Sequence, residues 1–495
     1  MKHFSARGIA AWVMAATVPL AACDLAPDYN VPETPAPVAY KESDGWKTAQ
    51  PADEVPKGEW WKSLGDPQLD ALEEKVGSSN QDLKSAYEKF LQARAQLGIT
   101  SADLSPQVGL NGSATRTRRS ENAIPLFKPT NFSDYATSIN VSYEVDLWGR
   151  VRNSVESSKD QAQATEGDLA TTDLDLRAEL AADYFSLRGF DTQQRILDET
   201  VAAYAAALDL ISRRHTGGVQ PIADVAQAQG QLETAKTQAS DNHIHRQQME
   251  HAVAILVGVP PSEFSLPVMP LEQQTPPAIA TGLPSSLIER RPDVAAAERR
   301  VASANANIGV ARAAYYPVFN LEGLLGVDSA IPAKLFSASS TIWSFGPTAA
   351  VALIDGGRRD AMNDQARAAF DQTVADYRQT VLNANGEVED DLVALRQLDQ
   401  EIKTENAAVT ATQQALDQAR LRYNAGLVTY IEVVDTQNLA LQAQLSDADI
   451  ETRRMTSTVQ LIKALGGGWS RDTGLDLEIA GGMDGTGAAA AAKVE

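Results

Sequence analysis

Cysteine is nearly absent. The chain has 495 residues and one thiol, Cys23, so no intramolecular disulfide can staple it. Aromatic residues are also scarce, at 6%, while Ala, Gln, Asp and Glu dominate long stretches. Such a composition suits extensive helix with thin, small-residue packing rather than one thick globular core. Positive charge is in deficit, with 43 basic against 65 acidic residues and a formal charge of −22. No Lys/Arg-rich block stands out, which argues against nucleic acid and anionic lipid headgroups as main partners. Beyond the N-terminus no run of about 18 apolar residues occurs, so no transmembrane helix is expected. Proline stops at Pro347, and nothing covalent interrupts the helices that follow it. Catalytic constellations are missing as well. His243, His245 and His251 come nearest to a metal set, but residues two apart on a helix point to different faces, and no HExxH spacing accompanies them. A solvated helix face explains them, and neither a catalytic nor a metal site is expected.

The N-terminus reads as a targeting segment and is set aside from the fold. Lys2 and Arg7 precede a short apolar run at 9–18, and Leu20-Ala21-Ala22-Cys23 resembles a bacterial lipobox. Residues 1–22 are then a signal peptide, and Cys23 carries covalent lipid, the one non-protein group expected. Asp24 follows, a residue that in some bacteria signals retention at the inner membrane, so the sorting route stays open. Six prolines within 24–57 make 23–61 an extended arm. Residues 466–495 read as a disordered tail.

A tandem repeat organises the rest. Arg214-His215-Thr216-Gly217-Gly218-Val219 aligns with Arg422-Tyr423-Asn424-Ala425-Gly426-Leu427 at an offset of 208. At the same offset Gly149-Arg150 meets Gly357-Arg358, Asp224-Val225 meets Glu432-Val433, and Gln229 meets Gln437. The halves are 62–257 and 284–465, joined by a linker at 258–283. Each half carries a candidate β-hairpin, at 107–146 and 317–355. Tyr135, Ile139, Val141, Tyr143 and Val145 alternate with polar residues, as do Phe319, Leu321, Leu325 and Val327, and Trp343, Phe345, Ala349, Val351 and Leu353. Their length suits a tilted strand crossing a bilayer, although a half-buried soluble sheet has the same period. Each half also predicts one long helix, 150–214 or 358–424, about 97 Å or more at 1.5 Å per residue. Two shorter helices accompany it, 75–103 with 222–257 and 287–314 with 430–465. Each short pair together matches the long helix, so the simplest packing stacks the pair end to end beside it. Helices this long with Ala-rich faces need neighbours to cover their apolar stripes. The strands need them too. A bilayer admits strands only in closed barrels, which start at eight strands, and four strands cannot close. Two, three or four chains would give eight, twelve or sixteen.

Ordered motifs then identify a relationship. Trp60-Trp61-Lys62-Ser63-Leu64-Gly65-Asp66-Pro67, Asn80-Gln81-Asp82-Leu83 with Ala93-Arg94-Ala95, and Tyr143-Glu144-Val145-Asp146-Leu147-Trp148-Gly149-Arg150 occupy the first half. Gly282-Leu283-Pro284-Ser285, Arg290-Arg291-Pro292-Asp293, Asp355-Gly356-Gly357-Arg358 and Ala464-Leu465-Gly466-Gly467-Gly468-Trp469 follow in the second. From Leu20 to Trp469 the chain resembles the TolC-type outer-membrane factors, in their NodT/OprM-like lipoprotein branch. The resemblance implies a mainly α fold with a transmembrane β part. Three protomers would form a 12-stranded β-barrel in the outer membrane and an α-helical barrel in the periplasm. It implies an exit duct for a tripartite pump, with a periplasmic adaptor protein and an inner-membrane pump as partners. It also implies that an acidic pair just past the second tip turn, Glu432 and Asp435, forms rings at the closed end, with Asp224 as the first-half equivalent. The tip loops with Gly217, Gly218 and Gly426 are the expected adaptor-docking site. Val428 stands where TolC has a gate-locking arginine, so any lock must differ. A non-pore helical structural lipoprotein is the rival reading, but it has no need of duplicated hairpins. The sequence names neither the exported substrate nor the particular pump and adaptor.

Overall fold

The structure, a computed structural model, describes residues 24–34, 40–42, 59–118, 120, 131–271, 277 and 290–469. The signal segment, Cys23, much of the linker, the 282–285 motif and the tail beyond Trp469 lie outside the described residues. In chain order the elements are α1 (Pro67–Ser79), α2 (Gln81–Ala102), β1 (Gln107–Arg118), β2 (Asn131–Glu144), α3 (Arg150–Thr216), α4 (Ile222–Leu256), α5 (Pro292–Ala313), β3 (Val318–Ser329), β4 (Thr341–Ala350), α6 (Arg358–Asn424) and α7 (Tyr430–Ala464). The chain divides into two compact units. One comprises residues 1–35, 87–167 and 296–380, and the other 36–86, 168–295 and 381–495.

The first unit holds all four strands found among the described residues, in one antiparallel sheet of order β1-β2-β3-β4. The two hairpins do not stand apart. β2 of the first repeat pairs with β3 of the second, Ile139 opposite Leu325 and Tyr143 opposite Leu321. The last strand ends at Ala350, short of Val351 and Leu353, which fall in the non-regular run before α6. Each hairpin hands over to a long helix through a charged turn. Arg150 grips Glu144 through Nε and Nη2 at 2.8 and 2.6 Å, and Asp146 accepts from the Arg152 backbone N–H at 2.9 Å. Gly149 takes φ 76°, which glycine adopts without Cβ strain. Trp148 stacks on Tyr316 and donates Nε1 to the Pro317 carbonyl at 2.8 Å. These contacts explain the Tyr143–Arg150 motif. The arm at 24–34 forms no regular structure but is tied down. Asp24 Oδ1 accepts from Asn153 Nδ2, the Leu25 carbonyl from Arg312, and the Pro27 carbonyl from Asn305, at 2.8–3.0 Å. Gly309 leaves room for Ala26, which a Cβ there would meet at 2.8 Å.

The second unit holds the main apolar core, in which Trp60, Leu69, Val76, Leu180, Tyr184, Phe185, Leu187, Val253, Leu392, Val459 and Leu461 are almost fully buried. The predicted helix at 75–103 is two helices, and the first begins earlier. Asp66 caps α1, accepting the N–H groups of Gln68 and Leu69, with Pro67 at the first helical position. Its other oxygen accepts the buried Tyr184 hydroxyl at 2.7 Å. Asn80 then breaks the run. Its side chain caps α2 through Asp82 and Leu83 N–H and donates to the Leu256 carbonyl at 2.8 Å. The start of the presumed tail is ordered as well. Gly466 and Gly467 close α7, beside the Arg290 carbonyl and the Trp60 and Leu174 side chains.

One buried acid in this core should show in solution. Glu73 is fully buried, and neither carboxylate oxygen has a hydrogen-bond partner. Arg177 Nη1 lies 3.7 Å away but spends its hydrogen bonds on the Glu73 carbonyl and on Asp173. Burial raises the Glu73 pKa to about 9, outweighing the attraction of Arg177. Between the ordinary glutamate range and pH 9 the folded state therefore holds a proton that the unfolded state has lost. Stability falls as pH rises through that window, by about 1.4 kcal/mol per unit. Glu73→Gln, which mimics the protonated acid, removes this slope. In thermal unfolding of the detergent-solubilised protein, the variant's advantage should grow by on the order of 4 kcal/mol from pH 5 to pH 8. Parallel pH profiles for the two proteins would show Glu73 to be ionised in the fold.

Candidate functional sites at the sheet and the helix tips

Strand side chains alternate between two faces, and the one-to-one register carries each face across all four strands. One face presents Val108, Leu110 and Ala114 of β1, and Tyr135, Ile139, Val141 and Tyr143 of β2. It continues with Phe319, Leu321, Leu325 and Val327 of β3, and Trp343, Phe345, Pro347 and Ala349 of β4. Among the described residues nothing covers this face. Leu110 is 77% exposed, Trp343 75% and Phe345 71%. The other face carries Asn111, Ser113, Thr115, Asp134, Ser138, Asn140, Asn320, Glu322, Asp328, Ser344 and Thr348. A soluble sheet hides its apolar face and wets its polar one, whereas this apolar face is bare. Tyr135 and Tyr143 bound it eight residues apart on β2, about 27 Å along a strand. The outer strands β1 and β4 are open edges, whose N–H and C=O groups would find no partner in hydrocarbon.

In the second unit two equivalent turns join α3 to α4 and α6 to α7. Gly218 and Gly426 take φ of 74° and 73° two residues past the helix ends. Val219 N–H bonds back to the Arg214 carbonyl, and Leu427 N–H to that of Arg422, so both helices end in the same left-handed glycine cap. Gly217, the third predicted tip glycine, lies in the turn but is not in the positive-φ region. Beneath the turns Ile211, Leu416, Ala419, Tyr430, Val433 and Val434 pack together. Glu432 pairs with Arg422 across the turn at 2.6 Å, while Asp435 on the next turn is exposed and meets no partner among the described residues. Asp224 accepts Gln220 Nε2 at 2.6 Å, and the same amide reaches the Tyr423 hydroxyl at 3.0 Å. The three predicted acids thus divide into two that are tied and one that is not. Arg422, Gln220 and Tyr423 were not singled out from sequence. Only the aligned Arg214/Arg422 positions of the repeat hinted that a cation recurs there. Val219 and Leu427, also at the repeat offset, expose 77% and 73% of their surface at the very turns.

Comparison with known proteins bears on both sites. The family model described as outer membrane efflux protein matches the chain twice, over residues 74–259 and 283–467. The chain is 32% identical to outer membrane protein OprJ of Pseudomonas aeruginosa, across 94% of its own length and 97% of that protein. It is 31% identical to the probable efflux pump outer membrane protein TtgC of Pseudomonas putida, across 92% and 94%. Among solved structures, the outer-membrane channel OprN superposes with a TM-score of 0.85 at 28% identity, covering 90% of this chain and all of that one. A bare apolar sheet face of membrane-crossing length and a duplicated helical hairpin are what such a relationship requires, and the chain belongs to the outer membrane efflux protein family.

Proposed function

We propose that this chain is the outer-membrane exit duct of a tripartite efflux system, built from three copies. Twelve pooled strands close a barrel that four cannot, and the long helices of three copies cover one another's exposed stripes as a periplasmic α-helical barrel. The bare apolar sheet face carries this reading. Lipid covers it at no cost in unpaired polar groups, while the polar face lines water. Tyr135 near one end, and Tyr143 with Tyr315 and Tyr316 near the other, sit where aromatic girdles of membrane barrels lie. Every charged side chain on the polar face of the described strands is acidic: Asp134, Glu144, Glu322 and Asp328. The duct is passive and performs no catalysis. Asp24 is held beside the start of α3, just beyond β2, so acyl chains on Cys23 would enter the membrane at the foot of the sheet. An adaptor docks on the tip turns at Gly217, Gly218 and Gly426, where Val219 and Leu427 offer apolar anchors. Glu432, Asp435 and Asp224 repeat around the three-fold axis as an acidic constriction, held shut in part by Arg422 pairing with Glu432.

Single-channel conductance in planar bilayers tests the duct and its gate together. The parent should give small, cation-selective openings, and Glu432→Ala/Asp435→Ala larger ones with reduced selectivity. Unchanged openings in the double variant would remove these residues from the gate. A verified oligomer that never conducts would favour the non-pore lipoprotein instead.

A further inference from the structure

The apolar face of the sheet is not free of charge, and its charges are arranged. Among the described strand residues, Arg116 and Arg118 are the only ionised side chains on that face. Both lie at one end of β1, beyond the aromatic boundary that Tyr135 marks opposite Ala114. That end carries the hairpin loops, because the opposite ends of the four strands lead to helices. The two arginines are two residues apart on one face, about 7 Å along the strand. Their neighbours across the register are Ser133 and Asn131, which are uncharged. Both arginines are exposed, and neither has a hydrogen-bond or ion-pair partner among the described residues. The carboxylates at this height, Asp134 and Asp328, sit on the opposite face. A neighbouring copy cannot neutralise them from its strands either, since no acid occupies this face of any of the four. The overall charge of −22 conceals this local inversion.

We infer that Arg116 and Arg118 form a binding site for the phosphate groups of a lipid in the leaflet at the hairpin end, the outer leaflet. The inference rests on the barrel reading, which turns this face to lipid. Continuity with the apolar band selects a lipid over a soluble anion. The arginine stems can lie along the apolar wall while their heads reach the headgroup layer. The planar guanidinium matches phosphate oxygens in a two-pronged fork that an ammonium cannot reproduce. Two such forks at this spacing suit a headgroup bearing more than one phosphate. The lipid would brace β1, the edge strand whose outer side has no partner in the single chain.

Bisphosphorylated lipid A, titrated into the purified oligomer in dodecyl maltoside and read by native mass spectrometry, tests the site. Arg116→Gln/Arg118→Gln should weaken binding about thirtyfold, and Arg116→Lys/Arg118→Lys should fall between it and the parent. Asp134→Asn/Asp328→Asn, on the opposite face, should leave binding unaltered. Inorganic phosphate at the same concentration should not compete. Equal affinity for parent and the Gln pair would overturn the site, and so would competition by inorganic phosphate, which would mark a soluble-anion site. Should the Gln pair fail to assemble, the Lys pair decides, because loss of the fork alone must still lower affinity. Conductance and slow migration of the unheated oligomer report separately on the barrel. If the parent lacks both, the duct reading has failed; if it has both and binds lipid A no better than a dephosphorylated analogue, only the lipid site has.

Discussion

A Leu325→Arg chain is expected not to assemble into the detergent-resistant oligomer that the parent should show on an unheated gel. Leu325 sits between Ile139 and Trp343 across the register, in the middle of the apolar band and farthest from either aromatic boundary. An arginine at the midplane of a barrel's lipid face costs about 2–4 kcal/mol per site, and three copies carry the change at once. The side chain cannot reach water by a short detour, as it could from the position of Arg116 or Arg118. Ser344→Arg supplies the control. Ser344 pairs with Leu324 on the opposite face, so its arginine meets the aqueous bore. That variant should assemble normally and shift selectivity towards anions, because it adds three positive charges to a lining otherwise acidic. Equal tolerance of both substitutions would mean that the sheet does not face lipid, and the barrel would have to be abandoned.

The parts of this fold that were legible in the sequence are those written in backbone requirements. The glycine caps at Gly218 and Gly426 recur at a fixed offset because both helices must reverse in the same left-handed residue. Proline-free stretches delimited α3 and α6 to within two residues at their ends. Alternation marked the strands, even the weak β1, although it could not say which strand pairs with which. The β2–β3 pairing joins residues far apart in sequence, and nothing local encodes it. The break at Asn80 was hidden because Ser-Ser-Asn followed by Gln-Asp sits inside an otherwise helical pattern, and only the side-chain cap on Asp82 and Leu83 makes it a start. The tip acids could be placed by the repeat, but not their partners. Arg422 reaches Glu432 across a turn, ten residues on, and Gln220 serves Asp224 and Tyr423 together. The spacing of Arg116 and Arg118 puts them on one face of β1, but only the register shows that it is the apolar one.

Nothing in the sequence sets apart the charges of α3 and α4 that prove to be buried, and the second large effect follows from them. Asp191→Ala is expected to destabilise the fold by about 3–5 kcal/mol, the range for leaving buried charge uncompensated. Asp191 is 1% exposed. Its Oδ2 accepts Arg188 Nη1 at 3.1 Å and the Met269 N–H at 2.9 Å, and its Oδ1 accepts Arg246 Nε at 2.8 Å. The two arginines also hold chain that has no helix or strand of its own. Arg188 donates to the Pro267 carbonyl at 2.7 Å and Arg246 to that of Leu266 at 2.9 Å, while Glu250 accepts the Leu266 N–H. Without Asp191, Arg246 keeps Glu250 but Arg188 keeps only the neutral Gln68 amide oxygen and the Pro267 carbonyl, and the segment at 264–271 loses the group that orients both clamps. Asp191→Asn keeps the shape and one acceptor but not the charge, and should cost less than the alanine. The loss should appear first as protease cleavage within 264–271 and then as a lower unfolding temperature of the oligomer. Resistance of this segment in the alanine variant, with stability within about 1 kcal/mol of the parent, would show that water or the peptide carbonyls satisfy the arginines without the acid.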